Sequence, residues 1–200
     1  MKINKIISFT FFAAVLMFFL LPSGAFACAC CAEPGTYSIN VKKLDKSELD
    51  ELKKISFGTA NLFMTAAGED NIKGISALGE NYSLNGMFQS NAWKLNFTDD
   101  KGKTGMLNLP MPTSMLAFAA DIHDGKEGGA GGPLLYKELR FKHKVQSGTG
   151  IFKNGIAPAT EYFFVLQGRG NNCLNASDFT HWRLEIIGRK AGYAFYGNLK

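Results

Sequence analysis

A chain of 200 residues that is 46% hydrophobic, with 17 Phe and 2 Trp, has the apolar mass for a packed core, which excludes a disordered chain. Its formal charge of +5 comes from 22 basic and 17 acidic residues without a dense basic patch, which argues against a dedicated nucleic-acid binder. Four cysteines and 22 glycines point to an exported, turn-rich protein.

The chain opens on Lys2 and Lys5, then a near-continuous apolar run from Ile6 to Leu21. Pro22-Ser23-Gly24 breaks it, and Ala25-Phe26-Ala27 has the small-x-small form of a cleavage site. This predicts a secretory signal peptide, residues 1–27, since the run is shorter than the ~20 residues that span a bilayer. Cleavage after Ala27 would leave 173 residues with a formal charge of +3, and location would be secreted or periplasmic. A cysteine-rich segment, residues 28–35, comes next, and a single domain is expected over residues 36–200.

Cys28, Cys30 and Cys31, with the distant Cys173, make an even number of thiols in an oxidising compartment. Two disulfides are the expectation, one local and one joining the cluster to Cys173. Two alternatives stand beside it. Thiolates Cys28, Cys30 and Cys31 could hold a soft metal ion. Cys28, preceded by Gly24-Ala25-Phe26-Ala27, loosely fits a lipidation site that would anchor the protein to a membrane.

Pro34-Gly35 predicts a turn and the alternating Thr36–Val41 a strand. Leu44 to Ile55 carries the only helical pattern outside the signal, with Leu49, Leu52 and Ile55 as its apolar stripe and Asp45 with Glu48, or Ser47 with Asp50, as a capping box. From Phe57 the period becomes two. Strands are expected over 57–67, over a hairpin of 82–89 and 92–98, over 104–109, and over 114–122, with Pro110 and Pro112 marking an edge or corner. A glycine-rich loop, Asp124 to Pro133, is expected to be flexible. Strands over 134–146, 149–152, 161–167, 180–187 and 192–199 complete the set.

About ten strands without a βαβ rhythm predict an all-β, antiparallel meander of barrel-like form, with one short helix near the N-terminus. A two-sheet β-sandwich is the alternative. It draws on Gly155 to Val165, GIAPATEYFFV, which is similar to the corner before strand F in fibronectin type III domains; that resemblance implies that Tyr162 locks the turn.

Few residues suggest chemistry. Asp121 and His123 fall on one side of a strand end beside the glycine-rich loop, as an acid–base pair would. His181 and Arg183 alternate with Trp182, Leu184 and Ile186. With Trp182 inward they are surface groups; inward themselves, they would make an anion-binding pocket. His143 is expected half-buried among Leu139, Phe141 and Val145. No nucleophile elbow, zinc-protease motif or phosphate loop is present, and no cofactor is implied. The resulting expectation is an exported, non-catalytic binding protein for a small or apolar ligand or an extracytoplasmic partner. The alternatives are a hydrolase using Asp121 and His123, and a thiol-based metal binder.

Overall fold

The structure, a computed structural model, describes residues 29–63, 72–76, 78–89, 91–128 and 132–200. The described residues form eleven antiparallel strands: β1 (Tyr37–Lys42), β2 (Thr59–Leu62), β3 (Asn81–Gln89), β4 (Ala92–Asp99), β5 (Thr104–Pro110), β6 (Met115–Ala120), β7 (Leu135–Lys144), β8 (Ser147–Gly148), β9 (Glu161–Gly170), β10 (Phe179–Gly188) and β11 (Ala191–Asn198). An α-helix, α1 (Lys46–Leu52), follows β1. Its N-cap is Asp45, whose carboxylate accepts from the Glu48 amide while the Glu48 side chain accepts from the Asp45 amide, a complete capping box. The all-β, antiparallel expectation holds.

The strands form one sheet in the order β1-β6-β7-β9-β10-β11-β2-β3-β4-β5-β8. It is not a simple meander. Two runs of neighbours, β2 to β5 and β9 to β11, are joined by the ladder between β11 and β2. The chain leaves β5 at Pro110, where the ladder stops, and crosses to β6 at the other side of the order. The order is open, ending at β1 and β8. Yet β8 follows β7 after only Val145 and Gln146, and the Gln146 amide donates to the Asn108 carbonyl of β5 at 3.0 Å. The sheet is thus curled far enough for its last strand to branch from its third.

Alternation turns one face of this curl inward. Trp93, Leu95 and Phe97 of β4, Tyr162, Phe164 and Leu166 of β9, and Trp182, Leu184 and Ile186 of β10 are all buried. Phe57 sits at their centre, with ring centroids 5.7 Å from both Trp93 and Trp182. Burial of each such ring contributes about 2–3 kcal/mol, and their rings fill the interior of the curl.

Three expectations are corrected. The segment expected as a strand over 149–152 is a 3₁₀ turn, Gly150–Phe152, because Gly150 has φ +56° and lies so close to β5 that a Cβ there would be 2.0 Å from the Thr104 carbonyl oxygen. His143 is exposed, and its Nδ1 accepts from the Lys144 amide at 2.8 Å. The Tyr162 hydroxyl donates to the Pro110 carbonyl on another strand, not to its own turn, so the fibronectin-like corner is not formed. The apolar run Ile6–Leu21 lies outside the described residues, among which no helix is long and apolar enough to cross a membrane.

Candidate functional site

Beyond the core, the inner face of the sheet continues onto β7, β6 and β1, and there it is not covered by rings. Ser38 pairs with Ala119 and Asn40 with Ala117; Ala119 pairs with Lys137 and Ala117 with Leu139. Directly paired residues share a face, so these six lie on the face that carries Phe141. Small side chains at 117 and 119 leave a groove of about 380 Å³, walled on the other side by Asn172 and Leu174. Ligand sites begin at about 300 Å³.

The wall is the segment that follows β9. Gly168 and Gly170 hold inward positions of that strand; a Cβ at Gly168 would be 1.8 Å from the Asp178 carbonyl oxygen. The absent side chains let the 171–178 segment fold back across the strand it has just left. A disulfide joins Cys30 to Cys173. The Asn172 amide donates to the Cys30 carbonyl at 2.8 Å, and Asn172 Nδ2 donates to the Cys31 carbonyl at 2.7 Å. From α1, Glu51 accepts from the Ala176 amide at 3.0 Å.

Lys137 closes the arrangement. Its Nζ donates to the Cys173 carbonyl at 2.5 Å and to Asp178 Oδ2 at 2.6 Å. Only 8% of the Lys137 side chain and 13% of that of Asp178 is exposed. Burial pushes the Lys137 ammonium below the usual lysine range, the nearby Asp178 partly restores it, and the charge of Lys42 lowers it a little further. On the outer face of β7, Glu138 accepts from Tyr136, Gln167 and Arg140. Burial alone would raise its carboxyl, but these donors outweigh it and hold the group below the glutamate range. The Tyr136 hydroxyl is pushed up to about 12 by burial and by that carboxylate.

Asp121 and His123 meet each other but are not among the residues that line the groove. Asp121 Oδ2 accepts from the Gly35 amide at 2.9 Å, and Oδ1 accepts from the His123 amide at 2.8 Å. These amides, with the ring Nδ1 of His123 at 2.9 Å, hold the carboxyl below the aspartate range. His123 has φ +53° and a side chain 72% exposed. The pair ties the Pro34-Gly35 turn to the end of β6. Asp124 forks onto Arg169, and the Leu134 amide donates to Lys126 at 2.9 Å, so the glycine-rich loop is pinned at both ends; its residues 129–131 lie outside the described ones.

His181 and Arg183 face outward, with Trp182 inside. Arg183 lies 3.3 Å from Glu185 and 5.7 Å above the Phe163 ring, and His181 Nδ1 meets Thr180 Oγ1 at 2.8 Å. No hydrogen bond or ion pair joins this pair to Asp121 or His123 among the described residues. Cys30, Cys31 and Cys173 are disulfide-bonded, while Cys28 lies outside the described residues. Among the described residues no cluster of three His, Cys, Asp or Glu is placed to hold a metal ion.

Sequence reasoning missed Lys137. The signal was there, since Leu135, Lys137, Leu139 and Phe141 alternate and place a lysine on the apolar face. No protein-family model, curated protein or solved structure matches the chain.

Proposed function

We propose that this is an exported, non-catalytic binding protein whose ligand seat is the groove between the inner face of β1, β6 and β7 and the stapled 171–178 segment. The observation that carries this reading is where the cavity lies. The curled interior is filled by its own rings, whereas the groove is floored by alanines and walled by a segment that a disulfide and five hydrogen bonds hold in place. A preformed, concave site with a few polar groups among apolar ones suits reversible capture of a small molecule. Its lining residues include no His and no pair of carboxylates set to exchange protons. A disulfide that spans most of the chain agrees with folding in an oxidising compartment after export.

The test is a fragment screen by ligand-observed NMR on the oxidised protein, repeated on Ala119→Leu, which fills the floor, and on Ile187→Ser, which alters the opposite face of the molecule's surface. Fragments that bind the parent and Ile187→Ser but not Ala119→Leu support the reading. Hits unaffected by Ala119→Leu would place binding elsewhere and defeat it.

A further inference from the structure

A second hollow lies on the outer face of the sheet, where β11, β2 and β3 run side by side. Tyr196 pairs with Asn61, and Asn61 pairs with Asn81. Directly paired residues share a face, so one ring and two amides stand in a row across three strands. Phe63, two residues beyond Asn61, joins that face, and its ring centroid is 4.3 Å from that of Tyr196. The two rings are 41% and 42% exposed. Together with Leu62 and Glu80 they border a hollow of about 350 Å³ that shares no residue with the groove of β1, β6 and β7.

The polar groups of this hollow are unspent. The side chains of Asn61, Glu80 and Asn81 and the Tyr196 hydroxyl make no hydrogen bond or ion pair among the described residues. Each amide offers two N–H donors and a carbonyl acceptor, the carboxylate accepts, and the phenol does both. This set narrows the ligand. An anion would meet Glu80 and find no lysine or arginine in the lining. Arg183, next to Tyr196 in the row, is turned to Glu185 and the Phe163 ring. A metal ion would find a single carboxylate, too few for a hard cation. A hydrocarbon would cover the rings but strip water from two amides and give nothing back.

A pyranose ring meets both demands. Its C–H face lies flat on an aromatic ring, and its hydroxyls, each a donor and an acceptor, match amides and a carboxylate. The neighbouring row of the same face, in which Thr59 pairs with Ser83 and Ser83 with Thr98, carries hydroxyls and no charge, so the uncharged surface runs on past the hollow. We infer that the hollow is a carbohydrate site, which takes a neutral oligosaccharide of equatorially substituted pyranose units. One unit stacks on Tyr196 and Phe63 and hydrogen-bonds Asn61, Glu80 and Asn81. Binding is reversible, with no bond made or broken.

The experiment titrates cellohexaose into the oxidised protein while the side-chain amide signals of Asn61 and Asn81 and the ring signals of Phe63 and Tyr196 are followed by NMR. All four are expected to shift, to the same extent at low and high salt, because the ligand is uncharged. Tyr196→Ala is expected to weaken binding about tenfold, and Tyr196→Phe, which keeps the stacking surface, by no more than about threefold. Phe63→Ala, at the end of its strand, repeats the ring deletion without touching β11. Ala119→Leu, in the other groove, is expected to leave the titration unchanged. Absence of shifts with cellohexaose overturns the inference, as does equal binding by the parent, Tyr196→Ala and Phe63→Ala. If 1-octanol moves the two rings as strongly as cellohexaose, the hollow is an apolar site and the carbohydrate class is wrong. Loss of the shifts in Ala119→Leu would put the sugar in the other groove and equally defeat this assignment.

Discussion

Several single side chains in this molecule are held at a cost that can be measured. The Tyr193 hydroxyl is buried with no hydrogen-bond partner among the described residues, and burial pushes its pKa well above the tyrosine range. An orphaned buried hydroxyl costs about 1–3 kcal/mol, so Tyr193→Phe is expected to stabilise the fold by about 1 kcal/mol in urea unfolding; a loss of stability would mean that the hydroxyl has a partner. Glu138 works in the opposite sense. Its carboxyl is held below the 4.5 of a free glutamate, so between those two values the unfolded chain binds the proton and the folded chain does not. Its contribution is present above pH 4.5 and is lost as pH falls through the lowered folded value. Glu138→Gln should therefore flatten the fall in melting temperature below pH 4.5, and an unchanged acid limb would contradict the cluster described around it. Lys137 shows why such residues are hard to read in advance. Its register was legible from Leu135, Leu139 and Phe141, but its partners come from a segment 36 and 41 residues away, and only the folded chain brings them together.

At the scale of elements, local chemistry was a good guide where it was strong. The capping box at Asp45 and Glu48 starts α1 where the sequence places it, and Pro110 marks the corner at which the chain leaves one half of the sheet. The segment over 149–152 misled because Gly150 answers to a close approach by Thr104, a tertiary fact absent from the local pattern. The same limit hid the groove: its floor is two alanines and its wall rests on β9 where Gly168 and Gly170 leave room for it, and small residues carry little periodic signal. Strand β1 shows a different exposure. It ends the sheet order, and Tyr37, Ile39 and Val41 are 66%, 51% and 72% exposed on one face. An apolar edge strand without a charge between residues 37 and 41 invites strand addition. Ile39→Lys is expected to reduce self-association in concentrated solution, read by sedimentation velocity, with no change in melting temperature. Equal association by both proteins would clear this edge.

The whole molecule depends on its ends. β11 pairs with β10 on one side and β2 on the other, so the ladder that joins the two runs of the sheet is made by the last strand. The antiparallel all-β class followed from the period of two, whereas this closure between distant strands could not, because nothing local links residues 61 and 196. The disulfide adds a second long-range tie, between Cys30 and Cys173 at a sequence separation of 143. The loop-entropy model puts such a crosslink near 5 kcal/mol at its upper limit. Cys30→Ser with Cys173→Ser is expected to lower the urea midpoint by a few kcal/mol equivalent, roughly 2–5, and to loosen the 171–178 wall. A midpoint unchanged by the double substitution would show that the tie adds nothing to the folded state.

That tie also fixes how the chain would carry load. β1 through β9 lie between the bonded cysteines, and only β10 and β11 lie beyond Cys173. Tension applied between the two termini runs through sulfur from Cys30 to Cys173 and bypasses nine strands. Those strands need not unravel for the molecule to yield; only the last hairpin is in the line of force. Reduction would release a hidden length of about 500 Å, at ~3.5 Å per residue over the 143-residue separation. In single-molecule stretching the oxidised protein should give one short extension, and a reductant should add the long one.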